Sequence, residues 1–424
     1  MKSYKELTDK EKTEELSRLK AEYENEKAKS RSINMARGIP NPEQLNLSMD
    51  MLSIAPENLV YSREGYDVRN YGVLAGIDEA RELFADLLGL KADNIIMGGQ
   101  SSLNLMYDCI MKAYVLGVYG GKKPWGQQGR IKFLCPVPGY DRHFRITQEL
   151  GFEMISIPMT DKGPDMALVK KYVEEDALVK GIWCVPKYSN PMGITYSPET
   201  VEAFAALKPA ADDFRIFWDN AYGIHGFREQ DDYLVNIFDA CRKYGSEDMV
   251  YEFMSTSKVS FSGGGLSVIA ASKNNIDFLL KQMTVQTIGY DKINQLRHVL
   301  FFKSADGVKK HMNKLAEIIR PKFDCVLETL ENNLEGADIG TWTKPNGGYF
   351  ICFKGLPGTA KRTVALCGNA GVKFTGAGAP FPYGKDPEDS TIRIAPSFPD
   401  VEQLRESMQL FCLCEKIAAL ETMI

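Results

Sequence analysis

From about residue 76 the chain alternates helical stripes with short runs that are apolar on both faces. That alternation constrains the fold more than any other feature. Ile77, Ala80, Leu83, Phe84, Leu87 and Leu88 recur at helical spacing. Residues 94–97, 131–134, 152–157, 182–185, 216–218, 250–254 and 266–271 read as strands, most of them separated by helical segments. A strand apolar on both faces must be covered on both sides, and a helix between successive strands makes them parallel. The expectation is an α/β chain built on a mainly parallel, seven-stranded sheet. Ligand sites in such sheets lie outside the carboxyl ends of the strands.

After about residue 300 the pattern changes. A long helix is expected from near Val308, past Pro321, to about Asn332. Strands at 347–352 and 391–395 and a terminal helix from Asp400 follow, which suggests a smaller α+β unit. The expected division is a large domain of residues 51–307 and a small one of 1–50 with 308–424. Residues 8–30 read as a solvated helix starting at Thr8 or Asp9, with Leu16, Leu19 and Tyr23 able to rest on a neighbouring unit.

Composition narrows the partners. A net charge of −5 argues against nucleic acid, since no basic excess exists to release counterions. No apolar run reaches the roughly 20 residues a membrane helix needs, and the first residues lack a signal peptide's apolar core. Nine cysteines without CxxC or metal-ligand spacing suit reduced thiols, no metal and a cytoplasmic setting.

The chemistry falls at the strand ends. Lys258 follows the run Tyr251-Glu-Phe-Met-Ser255 and precedes Gly263-Gly-Gly265, a tight setting for a lysine that reacts with an aldehyde. Asp219 ends another strand, where its carboxylate can hold a ring nitrogen protonated; Asp-Asn is equally a turn pair. Tyr222 and Asn190 can each donate to a phenolate oxygen, although Asn-Pro is by itself a turn signal. Met97-Gly-Gly-Gln-Ser-Ser-Leu103 lies between a strand and a helix, where backbone N–H groups cradle phosphate; a plain turn is the alternative. Arg393 offers a planar fork to an amino acid's carboxylate, or is an arginine on a half-exposed strand. Together, in this order, the pieces describe a site for pyridoxal phosphate.

With Arg37-Gly-Ile-Pro-Asn-Pro42, Arg69-Asn-Tyr-Gly72 and Asp291-Lys-Ile-Asn-Gln-Leu-Arg-His298, the motifs resemble the class I, fold-type I aminotransferases. The nearest branch is a bacterial one of aspartate-aminotransferase-like enzymes related to GntR-type regulators. The resemblance covers nearly the whole chain. It implies that Lys258 forms the imine with the cofactor and shuttles protons, while Asp219 pairs with the ring nitrogen. Asn190 and Tyr222 would hold O3′, Tyr140 would stack on the ring, and His143 would support Asp219. Gly99, Gln100, Ser101 and Ser255 would hold the phosphate, joined by Tyr71 from a second subunit of a homodimer. Gly38, Asn190 and Arg393 would bind the substrate.

The implied reaction moves an amino group from an L-amino acid, aspartate favoured, to a 2-oxo acid, with 2-oxoglutarate expected, by a ping-pong mechanism. Alanine or aromatic donors, and a lyase or decarboxylase on the same fold, are the rivals. A regulator that binds the cofactor without turnover is the least favoured reading, because too few residues precede Arg37 for a winged-helix module. One departure stands out. Long-known members carry a phosphate-binding arginine eight residues after the lysine; here that position is Leu266, and Lys292 or Arg297 is the candidate substitute.

Overall fold

The computed structural model describes residues 3–424. All seven expected strands form, in one sheet of eight. Across the sheet they run Ile95–Met97, Ser267–Ala271, Val250–Ser255, Arg215–Asp219, Val179–Cys184, Lys132–Val137, Glu153–Thr160 and Gly163–Pro164. The last is the strand not foreseen: two residues paired antiparallel at the edge, too short to carry an apolar pattern. The four central pairings, from Val250–Ser255 to Glu153–Thr160, are parallel, while Ser267–Ala271 runs against both of its neighbours. Every residue of Val179–Cys184, Arg215–Asp219 and Val250–Ser255 is buried. Those three strands are apolar on both faces because both faces are covered.

A second body is built from a three-stranded antiparallel sheet in the order Gly340–Trp342, Ile351–Gly355, Thr391–Ile394. Ile33–Asn34 pairs in parallel with Val372–Lys373 beside it. The terminal helix Val401–Met423 opens on a capping box between Asp400 and Gln403. The N-terminal helix Asp9–Lys27 opens on the equivalent box between Thr8 and Glu11 and packs against the terminal helix. Leu19 and Tyr23 are buried in that contact, and the Tyr23 hydroxyl donates to the Leu366 carbonyl at 2.8 Å.

One element joins the two bodies. Helix Ala305–Leu334 contains Pro321, which cannot donate to the carbonyl four residues back. Its first turns bring Val308, Met312 and Leu315 against Met51, Leu83, Val259 and Phe302. From Ala316 onward it packs into the core of the second body, with Phe323, Val326 and Leu330 fully buried. Among the described residues no helix is long and apolar enough to cross a membrane.

Candidate active site

The parallel strands deliver their chemistry at the carboxyl ends. Asp219 is the last residue of its strand and is buried. Its Oδ2 lies 3.0 Å from His143 Nε2, and its Oδ1 is buried with no hydrogen-bond partner. His143 comes from helix Asp141–Glu149, stacks on Trp183 at 4.5 Å between centroids, and meets the Tyr140 ring edge-on at 4.8 Å. Burial, with Asp219 second, pushes the Tyr140 phenol up to about 12. Burial likewise raises the Tyr222 phenol well above its ordinary value. Both phenols stay protonated, hence able to donate, at any working pH.

Lys258 lies in the turn after Val250–Ser255. Its Nζ is 5.0 Å from the Tyr222 ring centre and 5.8 Å from that of Tyr349. Burial lowers its pKa; Asp219 opposes that shift and Arg393 adds to it. A lowered pKa enlarges the neutral fraction, which is the form that acts as nucleophile or base.

Loop 98–101 joins strand Ile95–Met97 to helix Ser102–Val115. The Gly99 carbonyl accepts from Ser267 Oγ at 2.7 Å, and the Gln100 carbonyl from Ser257 Oγ at 3.0 Å. Because a trans peptide points its N–H away from its C=O, tying back these carbonyls turns the N–H groups of Gln100 and Ser101 outward. N–H groups so placed at a helix N-terminus can receive an anion. The Ser101 hydroxyl itself caps the helix through Leu103 N–H at 3.2 Å. Ser255 is buried, and its hydroxyl donates to Ser257 Oγ at 3.2 Å.

Arg393, on strand Thr391–Ile394, is buried. Nη1 donates to Asp141 Oδ1 and Asn190 Oδ1, each at 3.1 Å, and Nη2 to Thr375 Oγ1 at 3.2 Å. Its guanidinium lies 4.8 Å from the centre of the Phe350 ring, and Nε is buried without a partner. The tip of that ring closes on Gly38, where an added Cβ would lie 2.4 Å from Phe350 Cζ and collide with it.

Lys258, Asp219, Tyr222, Tyr140, Asn190, Arg393 and Gly38 thus share one region, with 99–101 and Ser255 linked to it through Ser257. Tyr71 does not join them within this chain: it is 82% exposed. Leu266 is buried in the large core, and its backbone N–H and C=O are both bonded to Thr256 at 2.8 Å. Lys292 is buried and Arg297 partly so, and among the described residues neither forms an ion pair. Sequence reasoning missed Ser257, Asp141, Thr375, Phe350 and Tyr349. Ser257 lies in plain view inside the hydroxyl run before the lysine, and Tyr349-Phe350, expected within a strand over 347–352, stand just ahead of the strand, which begins at Ile351. Thr375 gave no signal at all.

The fold and this constellation mark an enzyme of amino-group chemistry. A family model for aspartate amino-transferase matches residues 7–424. An aspartate aminotransferase of Corynebacterium glutamicum is 40% identical over 403 residues, 95% of this chain and 93% of that one. The crystal structure of an aspartate transaminase from the same organism superposes with a TM-score of 0.97 at 38% identity, covering 100% of this chain and 99% of the other. An HTH-type transcriptional regulator of Bacillus subtilis is 24% identical over 241 residues, 56% of this chain and 47% of its own. The chain belongs to the aspartate aminotransferase family and is a fold-type I aminotransferase.

Proposed function

We propose that this aminotransferase takes its amino group from an L-amino acid, aspartate first, and gives it to a 2-oxo acid such as 2-oxoglutarate. The two half-reactions share one site, so the kinetics are ping-pong. The observation that carries the reading is the match of unpartnered groups to pyridoxal phosphate and an amino acid. Asp219 Oδ1 is a buried acceptor lacking a donor, which suits a protonated ring nitrogen. Arg393 Nε is a buried donor lacking an acceptor, which suits a carboxylate. The loop before helix Ser102–Val115 faces outward with N–H groups, which suits a phosphate.

Pyridoxal phosphate, when bound, supplies an aldehyde that condenses with amines and a ring that accepts electrons. The chain's own groups do the rest. Asp219, steadied by His143, holds a proton on the ring nitrogen, while Asn190 and Tyr222 donate to the phenolic oxygen and Tyr140 covers the ring. Gly99, Gln100, Ser101 and Ser255 hold the phosphate, with the partner subunit's Tyr71 in a homodimer. Leu266 leaves no fixed cation at the usual place, so Lys292 or Arg297 balances the phosphate charge together with the helix N-terminus. Arg393 and the Gly38 backbone orient the α-carboxylate. Lys258 Nζ, neutral in part because it is buried, takes up the α-proton and would deliver it to the carbon that was the cofactor's aldehyde.

Aspartate as donor is supported by the 40% identical aspartate aminotransferase. The division at residues 50/51 and 307/308, and a cytoplasmic setting, belong to the same reading. A coupled assay of the twenty amino acids with 2-oxoglutarate tests it. Aspartate should give the highest kcat/KM; activity with no amino acid would sink the proposal.

A further inference from the structure

The chain contains four histidines. His143 serves Asp219; two of the other three grip the turn that carries Lys258, and the third lies beside it. His298, on helix Lys292–Phe302, has Nδ1 2.8 Å from the Asn294 carbonyl. A carbonyl only accepts, so Nδ1 carries the hydrogen, and in a neutral ring Nε2 is left as an acceptor. Nε2 lies 2.9 Å from Ser260 Oγ and 3.2 Å from Thr256 Oγ1. These hydroxyls stand two residues to either side of Lys258. Thr256 Oγ1 also accepts from the Leu266 N–H at 2.8 Å, and Ser260 Oγ lies 3.0 Å from Thr256 Oγ1.

From the opposite side His311 Nε2 reaches the Val259 carbonyl at 2.8 Å and Ser48 Oγ at 3.4 Å. His225 is buried against Tyr222 and Tyr349. We infer that His298 is a positioning residue for Lys258, holding the lysine's turn in register by accepting one hydrogen bond from the linked hydroxyl pair of Thr256 and Ser260.

Two further observations support this. Burial keeps the His298 pKa down at about 4, so the ring remains neutral and its Nε2 an acceptor. Asn294, one helical turn before His298, donates to the carbonyls of Gly264 and Gly265 at 3.0 Å each, which fixes the far end of the same loop. The long-known arginine position falls inside this loop, at Leu266, and here its backbone is tied to Thr256 instead. A lysine that must reach both an aldehyde carbon and a substrate proton depends on where its Cα stands, and a displacement of about 1 Å can cost on the order of a hundredfold in rate.

The inference rests on Lys258 being the catalytic lysine, so the test separates the two ideas. His298→Leu, His298→Gln and Ser260→Ala are prepared as holoenzymes. Each is read by thermal melting, by borohydride reduction and peptide mapping, by kcat and KM separately, and by the pH titration of the absorbance of the cofactor joined to Lys258. A label on another lysine in the wild type overturns the catalytic reading itself.

With the label on Lys258, His298→Leu is expected to lower kcat by about tenfold to a hundredfold with KM little changed, and to shift the titration midpoint. His298→Gln, whose side-chain oxygen can still accept, should recover most of both. Should the leucine variant fail to fold, Ser260→Ala carries the test and is expected to shift the midpoint in the same direction by less. Wild-type kcat and midpoint in the leucine variant overturn the inference. So does equal loss in leucine and glutamine variants with an unmoved midpoint, and so does Ser260→Ala at wild-type values when the leucine variant does not fold.

Discussion

Arg393→Lys separates charge from shape at the proposed carboxylate site. A guanidinium has five N–H donors. Nη1 commits two of them to Asp141 and Asn190, Nη2 commits one to Thr375, and Nε has no partner. The Nε–Nη2 edge is therefore the one with hydrogens to spare, and it is the edge that meets both oxygens of a carboxylate. Lysine keeps the positive charge but offers a single nitrogen, so one of the two bonds is lost. A charge-assisted bond contributes about 1.5–3 kcal/mol, and at 1.4 kcal/mol per factor of ten that is roughly a tenfold to two-hundredfold loss in kcat/KM. The severed contact to Asp141 adds little, since that carboxylate is one-third exposed (33%) and water replaces the partner. Single-turnover conversion of the bound cofactor with aspartate, alanine and tyrosine is the assay, with melting temperature as control. The loss should be the same for all three donors. A loss confined to aspartate would mean that Arg393 reads the side chain, and the assignment of the α-carboxylate would be wrong.

Other outcomes follow from the same geometry. Lys258→Ala should fold and bind pyridoxal phosphate without covalent attachment, while borohydride labels Lys258 in the wild type; a label on Lys187 refutes the assignment. Asp219→Ala should slow proton removal by several orders of magnitude with covalent attachment largely intact, because the ring nitrogen loses the charge that keeps it protonated; near wild-type turnover would move that role elsewhere. Glu415 is fully buried, accepts from Thr363 Oγ1 at 2.7 Å, and burial pushes its carboxyl up to about 8. The unfolded carboxyl ionises near its ordinary value, so its stabilising contribution is full below that value and is lost as pH rises through about 8. The stability difference between wild type and Glu415→Gln should therefore fall by roughly 1.4 kcal/mol per pH unit across that window in urea titrations; a flat difference refutes it.

The fold was legible wherever burial imposed a pattern. The central strands are legible because two covered faces demand continuous apolar runs, and Asp219 and Lys258 stand at or just beyond the ends of such runs. Gly163–Pro164 was not legible, because two residues hold no period. The same limit hid Thr375, whose contact with Arg393 is made by chain folding across 18 residues and by no local spacing. His298 was visible only as part of a motif, since its partners Thr256 and Ser260 lie far back in sequence. Leu266 was recognised as a departure from the resemblance, and the structure supplies the physical reason: its side chain faces the large core and its backbone closes the lysine's loop.

Helix Ala305–Leu334 has a consequence for how the molecule comes apart. Its opening turns share a seam with Met51, Leu83, Phe302 and Val259, the residue directly after the lysine, while the rest of the helix is embedded among the residues of the second body. Cutting the chain ahead of this helix would strip the apolar cover from that seam and leave the lysine's own turn facing water. The eight-stranded and three-stranded sheets are separate. The helix contributes side chains to the cores on both sides, so a graft that keeps the lysine's turn covered must bring the helix with it.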